Sequence, residues 1–507
     1  MDMNRRAFIH RLSQVGMGTA AAGVPFAGGA HRQSSPTPLS NFQPVSGNVL
    51  ERASASIEQI RKRDVTITFL DRWGQPLTDQ SVQVEQLRHQ FLFGDNNWTM
   101  SNMFRTGLIP SDRADYYRKR FKDVFNSLNT TVYWTERPRT FGTKTMDFQG
   151  DLRLESFEES VNWANANGLT AKGHPLFWSI PKAVPEWAKK YDHETFMKFV
   201  EVRVRNLTAR YDGKGDIWDA VNEALWEPAP KNLHQRTWPY AESMANLEDY
   251  ITKIIRWGRE ESPGAKFVIN DYGIGVVNKS GLLDQNGKAV TTQRQRVRYL
   301  ELIERLCDAG YPPNVLGLQS HTGWLNPEEQ MELYDQMAAA GLPISITEFW
   351  AHTKSLLPGG QEVQSLTSEE WRTLGETDSR TALTEAEAEA LRDQYVLDYL
   401  TVAFGHPAVQ SFYFWGFMGM AAKFQPTPSS GHTLKPLYEK VRKRIHEDWK
   451  TQTEATTDEK GQVQFRGFCG TYLGNLLPTR AGGTKVGHHF TVDEAETETR
   501  LVIKTVF

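Results

Sequence analysis

Two short apolar runs, each ending in a glutamate, constrain this chain more than any other feature. Residues 216–228 read DIWDAVNEALWEP and residues 342–350 read LPISITEFW. A short β-branched or aromatic run bounded by glycines (Gly213, Gly215) or by proline (Pro343) suits a buried parallel strand. In a barrel of alternating strands and helices, the carboxyl ends of strands carry the chemistry. Glu223 and Glu348 then stand at two strand ends, 125 residues apart, which leaves room for several strand–helix units between them. A carboxyl walled by Trp218 and Trp226 would be desolvated, its pKa raised, and so be suited to donate a proton.

Hydrolysis of a glycosidic bond commonly uses two carboxyl groups, one as acid/base and one as nucleophile or base. The chain also holds 15 Trp and 16 Tyr, whose faces suit sugar rings. Two glutamates with unrelated structural roles are the plainer alternative.

The ordered set GHPLFW, WDAVNEA, INDYG, GLQSH, ITEF and FWG resembles glycoside hydrolase family 10, the endo-β-1,4-xylanase family, over roughly residues 91–449. Six motifs in order are specific where any one alone is weak. The resemblance implies a (β/α)8 TIM barrel and retaining hydrolysis, with Glu223 as acid/base and Glu348 as nucleophile. Retention implies carboxyl groups about 5–5.5 Å apart. It also implies that His174 and Asn222 hydrogen-bond the sugar, and that Trp178 and Trp415 supply apolar contact at the cleavage point. His321 would orient the nucleophile, with Gln319 in the same network, and Asn270, Asp271 and Tyr272 would support the acid/base without touching substrate. The sequence departs from the family at the second strand, 125–139, FNSLNTTVYWTERPR. The usual Asn-Glu-x-x-Lys-Trp group is missing there, and Tyr133, Trp134 and Glu136 occupy the region, where they are expected to hold a sugar in the glycone subsites differently, Tyr133 and Glu136 as substrate-binding residues. Phe349 and Trp350 replace the Leu-Asp that often follows the nucleophile, leaving His352 as a substitute polar partner for His321. No metal and no organic cofactor are implied.

The remainder divides around that barrel. Residues 1–30, with Asn4-Arg5-Arg6-Ala7-Phe8-Ile9 and a Gly/Ala-rich stretch, read as a twin-arginine-type signal peptide, and 31–56 as a linker. Export to the periplasm or outside the cell is therefore expected. Residues 57–90 alternate as strands around DRWGQP, and 451–507 have the same texture. Neither piece has strands enough to bury a core alone. They are expected to form one small β-rich accessory module beside the 91–450 barrel, or else two separate decorations. A net charge of −3 with interspersed signs disfavours nucleic acid and anionic membranes as partners. A polysaccharide, xylan or a related β-glycan, is the expected partner of a monomeric protein. Cys307 and Cys469 admit at most one bridge, and two buried free thiols are expected.

Overall fold

The computed structural model describes residues 48–97, 111–135, 154–180, 183–227, 230, 240, 242–276, 282–321, 325–351, 385–417, 434–477 and 486–505. The leader 1–30, most of the linker, Glu136, His352 and the polar stretch 356–382 lie outside these described residues.

Helix α1 (Val49–Ile60) comes first, then strands β1 (Lys62–Leu70) and β2 (Ser81–His89). The barrel follows: β3 (Leu92–Asn96), α2 (Ser111–Lys122), β4 (Ser127–Thr131), α3 (Glu155–Ala166), β5 (Thr170–His174) with its continuation β6 (Phe177–Trp178), and α4 (His193–Arg210). It continues through β7 (Ile217–Asn222), α5 (Met244–Glu261), β8 (Lys266–Asp271), α6 (Thr292–Asp308), β9 (Val315–Leu318), α7 (Pro327–Ala338), β10 (Ile344–Phe349), α8 (Glu385–Gly405), β11 (Val409–Phe414) and α9 (Pro436–Lys443). The chain ends with β12 (Gln452–Thr456), β13 (Gln462–Phe468), β14 (Gly470–Leu476), β15 (Val486–Val492) and β16 (Glu498–Lys504).

The central sheet is parallel and runs β5-β4-β3-β11-β10-β9-β8-β7, and a β5–β7 pairing closes it into an eight-stranded (β/α)8 barrel. Side-chain caps start the helices where the sequence offers them: Asp192, Ser243, Thr291 and Asn326 each accept an amide of the first turn of α4, α5, α6 and α7. The linker reading of 31–56 is corrected at its end. Asn48 and Glu51 form a capping box that opens α1. This helix seats against α8, where Gly405 is required: a Cβ there would lie 2.5 Å from the carbonyl oxygen of Ala53.

The terminal strands share two sheets. β1 pairs antiparallel with β13 and parallel with β16, while β2 lies between β12 and β14, with β15 at the edge. Their inner faces enclose Val65, Ile67, Phe69, Val82, Val84, Val463, Tyr472 and Val492. Arg61 joins this unit to the barrel. Its buried guanidinium donates to the carbonyls of Phe404, His406 and Val409 and pairs with Glu494 at 2.9 Å. Of the two cysteines, both free, Cys469 is buried but Cys307 is exposed on α6, against the expectation of two buried thiols.

His89, at the end of β2, is enclosed by the rings of Phe93, Phe404 and Phe468. Burial, with His446 and Arg61 nearby, pushes its imidazole down to about 3. A histidine held neutral in the folded state contributes stability that is present above its ordinary pKa and is lost as pH falls below it. Stability should therefore fall by up to about 1.4 kcal/mol per pH unit between about pH 6.5 and 3 from this residue. Melting curves across that range for the wild type and His89→Phe test this. Parallel pH dependences in the two would assign the loss elsewhere.

Candidate active site

Successive residues of a strand face opposite sides of a sheet, so a barrel mouth receives every second side chain. Here local irregularities let extra groups converge. In β7, Asp219 lies opposite Val268 but Val221 lies opposite Ile269, so one residue is bulged out. That shift brings both Asp219 and Asn222 to the interior, although they are three residues apart. Glu223 then adopts φ +58, a left-handed conformation that costs a non-glycine residue on the order of 1–2 kcal/mol. It turns the carboxyl back over the mouth beside Asn222. Ser320 does the same at φ +53, so that Gln319 and His321 both reach the site, and the Tyr399 hydroxyl steadies its Oγ at 3.2 Å. An extra residue in β10, between Ile346 and Phe349, lets Thr347 and Glu348 both face inward.

The groups so gathered form one network. The Asn222 amide oxygen accepts from Asn270 Nδ2 at 2.8 Å and from Gln319 Nε2 at 3.1 Å. Each donor spends its second hydrogen on a carboxyl: Asn270 on Glu348 Oε1 at 2.7 Å, Gln319 on Glu223 Oε1 at 3.2 Å. His321 Nε2 meets Glu348 Oε2 at 2.6 Å, and Trp178 Nε1 donates to Glu223 Oε2 at 3.0 Å. Beneath them Lys172 and His174 both bind Asp219 Oδ2, the imidazole through Nδ1 at 2.6 Å, and all three side chains are buried. The rings of Tyr133 and Trp415 close edge-on against His174, at 5.6 and 5.2 Å between centroids, and Trp415 also faces His321.

These surroundings drive the two carboxyls apart. Burial, reinforced by the charge of Glu348, raises the pKa of Glu223 above its ordinary value, against the pull of the Gln319 hydrogen bond. Burial also opposes ionisation of Glu348, but His321, by charge and hydrogen bond, and His174 outweigh it and hold that carboxyl below its usual range. The two shifts run in opposite directions, as the division of labour between an acid and a nucleophile needs. Among the described residues no cluster of His, Cys, Asp and Glu could hold a metal ion.

The sequence-derived residues that lie among the described ones are brought together, with adjustments. Gln319 touches Glu223 and not Glu348. Asn270 has the reverse role, its side chain on Glu348, while its carbonyl accepts the Glu223 amide. Asp271 accepts the amide of Leu225, and Tyr272 stacks on Trp226 at 4.5 Å. Trp218 is not a wall of the site. It faces outward, stacked on Phe157, and lies so close over Gly173 that a Cβ there would meet its ring at 2.3 Å. Trp134 likewise packs outward against Trp187 and Phe196. Lys172, Asp219 and Thr347 were missed. A charged residue inside an apolar strand, two positions before a site histidine in the case of Lys172, was the available signal.

The sequence profile described as "Glycosyl hydrolase family 10" matches residues 141–423, more than half of the chain. The chain belongs to glycosyl hydrolase family 10. Within the wider set of relatives, it is 24% identical over 448 residues to the anti-sigma-I factor RsgI6 of Acetivibrio thermocellus, covering 86% of this chain and 48% of that protein. It is 23% identical over 451 residues to endo-1,4-beta-xylanase 1 of Arabidopsis thaliana, covering 88% and 39%. The chain thus spans less than half the length of both. A family 10 endoxylanase from a sugarcane soil metagenome superposes with a TM-score of 0.50 at 17% identity, over 70% of this chain and 96% of that one, a likeness of fold.

Proposed function

We propose that this family 10 glycoside hydrolase is a retaining endo-β-1,4-xylanase, with Glu223 as acid/base and Glu348 as nucleophile. The observation that carries the reading is the opposed environment of the two carboxyls, linked through the Gln319–Asn222–Asn270 hydrogen bonds. In the first step a Glu348 oxygen bonds to the anomeric carbon, the glycosidic C–O bond breaks, and Glu223 gives its proton to the departing oxygen. In the second, Glu223 takes a proton from water, the water oxygen bonds to the anomeric carbon, and Glu348 leaves as carboxylate. Asn222 presents its NH2 to the sugar hydroxyl beside the reacting carbon, its oxygen being engaged twice from within. His174 and the indoles of Trp178 and Trp415 hold the ring.

Xylan as substrate is supported by the six sequence motifs and by relatives that carry xylanase names. A different β-glycan is favoured by one observation: Tyr133 and Trp178 lie side by side, 5.6 Å apart, where the family's polar second-strand group is absent. Release of reducing sugar from xylan, β-glucan and mannan by the purified protein tests both. Xylan cleavage alone supports the xylanase, cleavage of another glycan moves the specificity to the Tyr133 region, and binding without cleavage makes the barrel a polysaccharide sensor or adaptor.

The pH profile is a second check. Activity requires Glu348 ionised, with its pKa lowered, and Glu223 protonated, with its pKa raised. The acid limb of kcat/KM should therefore fall below, and the alkaline limb above, the ordinary glutamate range. Because the Gln319 hydrogen bond lowers the Glu223 pKa, Gln319→Met should push the alkaline limb higher still. A limb that stays in place would belong to another group. Export by the twin-arginine route rests on Arg5 and Arg6. Conversion of both to Lys should leave the protein in the cytoplasm, and unchanged export would reject that leader.

A further inference from the structure

The turn that carries Trp415 is anchored from two sides. On one, the Trp415 amide donates to the carbonyl of Phe349 at 2.8 Å, tying it to β10 directly after Glu348. On the other, the Gly416 amide donates to Asp95 Oδ1 at 3.0 Å. Asp95 lies on β3, opposite Phe414 in the parallel register, and is fully buried. The same Oδ1 accepts the amide of Asn96 at 2.7 Å, whereas Oδ2 is buried without a hydrogen-bond partner. An ionisable group placed there is costly, since burial raises its pKa to about 8 against the pull of the Gly416, Asn96 and Phe417 amides. Gly416 has φ +134, a backbone conformation that side chains disfavour, so this turn depends on a permissive glycine that its contact with Asp95 holds in place.

We propose that Asp95 is a positioning residue for the active site: its carboxyl oxygen fixes the backbone beyond Trp415 and so sets where that indole stands between His174 and His321. The inference rests on the hydrolase reading above and deepens it. Asp95 lies outside both the sequence motifs and the stretch matched to the family. Trp415 faces the two imidazoles that bind Asp219 and Glu348. A displaced indole would therefore alter both the sugar contact and the packing of the residues that orient the nucleophile. The task needs an acceptor and no charge, so asparagine should perform it.

The test is a double-mutant cycle on the glycan the wild type cleaves best, using Asp95→Asn, Asp95→Ala, Trp415→Ala and the double alanine variant. Asp95→Ala should lower kcat/KM on the order of tenfold, the effect expected when the Gly416 amide loses its buried acceptor, and Asp95→Asn should stay within about twofold of wild type. In the Trp415→Ala background the Asp95→Ala change should cost little more, because its effect passes through the indole. An asparagine variant as poor as alanine, or losses that multiply independently, would overturn the proposal. If Asp95→Ala does not fold, Asp95→Leu fills similar space without an acceptor. Should the wild type cleave no glycan, the hydrolase reading fails separately from this one. Asp95→Ala must still change tryptophan emission, and a change of the same size in a Trp415→Phe background would reject the clamp.

Discussion

Glu348→Gln should lose turnover by on the order of 10⁴-fold or more while folding normally, because the amide fills the same volume and its oxygen still accepts from Asn270. The loss would appear in kcat as well as kcat/KM, since the missing bond forms only on the way to the transition state. Alanine variants separate the two glutamates by stereochemistry. With Glu348→Ala, azide entering the vacated space attacks the anomeric carbon in a single displacement and gives the inverted glycosyl azide. With Glu223→Ala the glycosyl–Glu348 ester still forms, best from a substrate whose leaving group needs no proton, and azide then gives the retained product. Exchange of these outcomes would exchange the roles of the two residues. Unaltered activity in Glu348→Gln would remove the nucleophile from the scheme.

Lys172→Met should cost about 3–5 kcal/mol of stability, the range seen when one member of a buried ion pair is removed. Burial opposes the charge of Asp219, and its carboxyl is held below its usual range chiefly by Lys172 and by the His174 hydrogen bond. Asp219 is fully buried, so bulk water does not reach it to screen the charge left behind. The double variant Lys172→Met/Asp219→Asn should recover part of the loss, because the stranded charge has gone. Denaturant unfolding of the three proteins checks this, and a Lys172→Met protein as stable as wild type would show that Asp219 does not depend on its cation. Activity should suffer in both variants, since Asp219 is the anchor of His174.

Much of this site was legible because its signals are local. A glutamate ending an apolar strand, or a histidine after Gly173, announces itself within a few residues. What each group touches did not follow from spacing. Gln319 reaches Glu223, and Asn270 reaches Glu348, because of left-handed residues at 223 and 320 and extra residues in β7 and β10. Such irregularities leave no fixed mark in sequence; none of these positions is a glycine. Trp218 was misplaced for the same reason, since strand parity decides whether an indole faces the site or the helices. Helix α1 was overlooked although Asn48 and Glu51 announced it, because it is short and directly continues the Ser- and Pro-rich stretch before it.

The pairing of the terminal strands also sets an order of events. Lys62 faces Phe468, and Asp64 faces Glu498, so β1 is made some 400 residues before either partner exists. At synthesis rates of about 5–20 residues per second, β1 and β2 wait roughly 20–80 s with their sheet edges open. The barrel strands, by contrast, meet neighbours made only tens of residues later, apart from β3, which waits for β11. Sheet closure thus runs from local to distant pairings, and the accessory unit is the last to be completed. Until then its two early strands are exposed edges able to pair with another nascent chain, which makes residues 62–89 a stretch prone to misassembly.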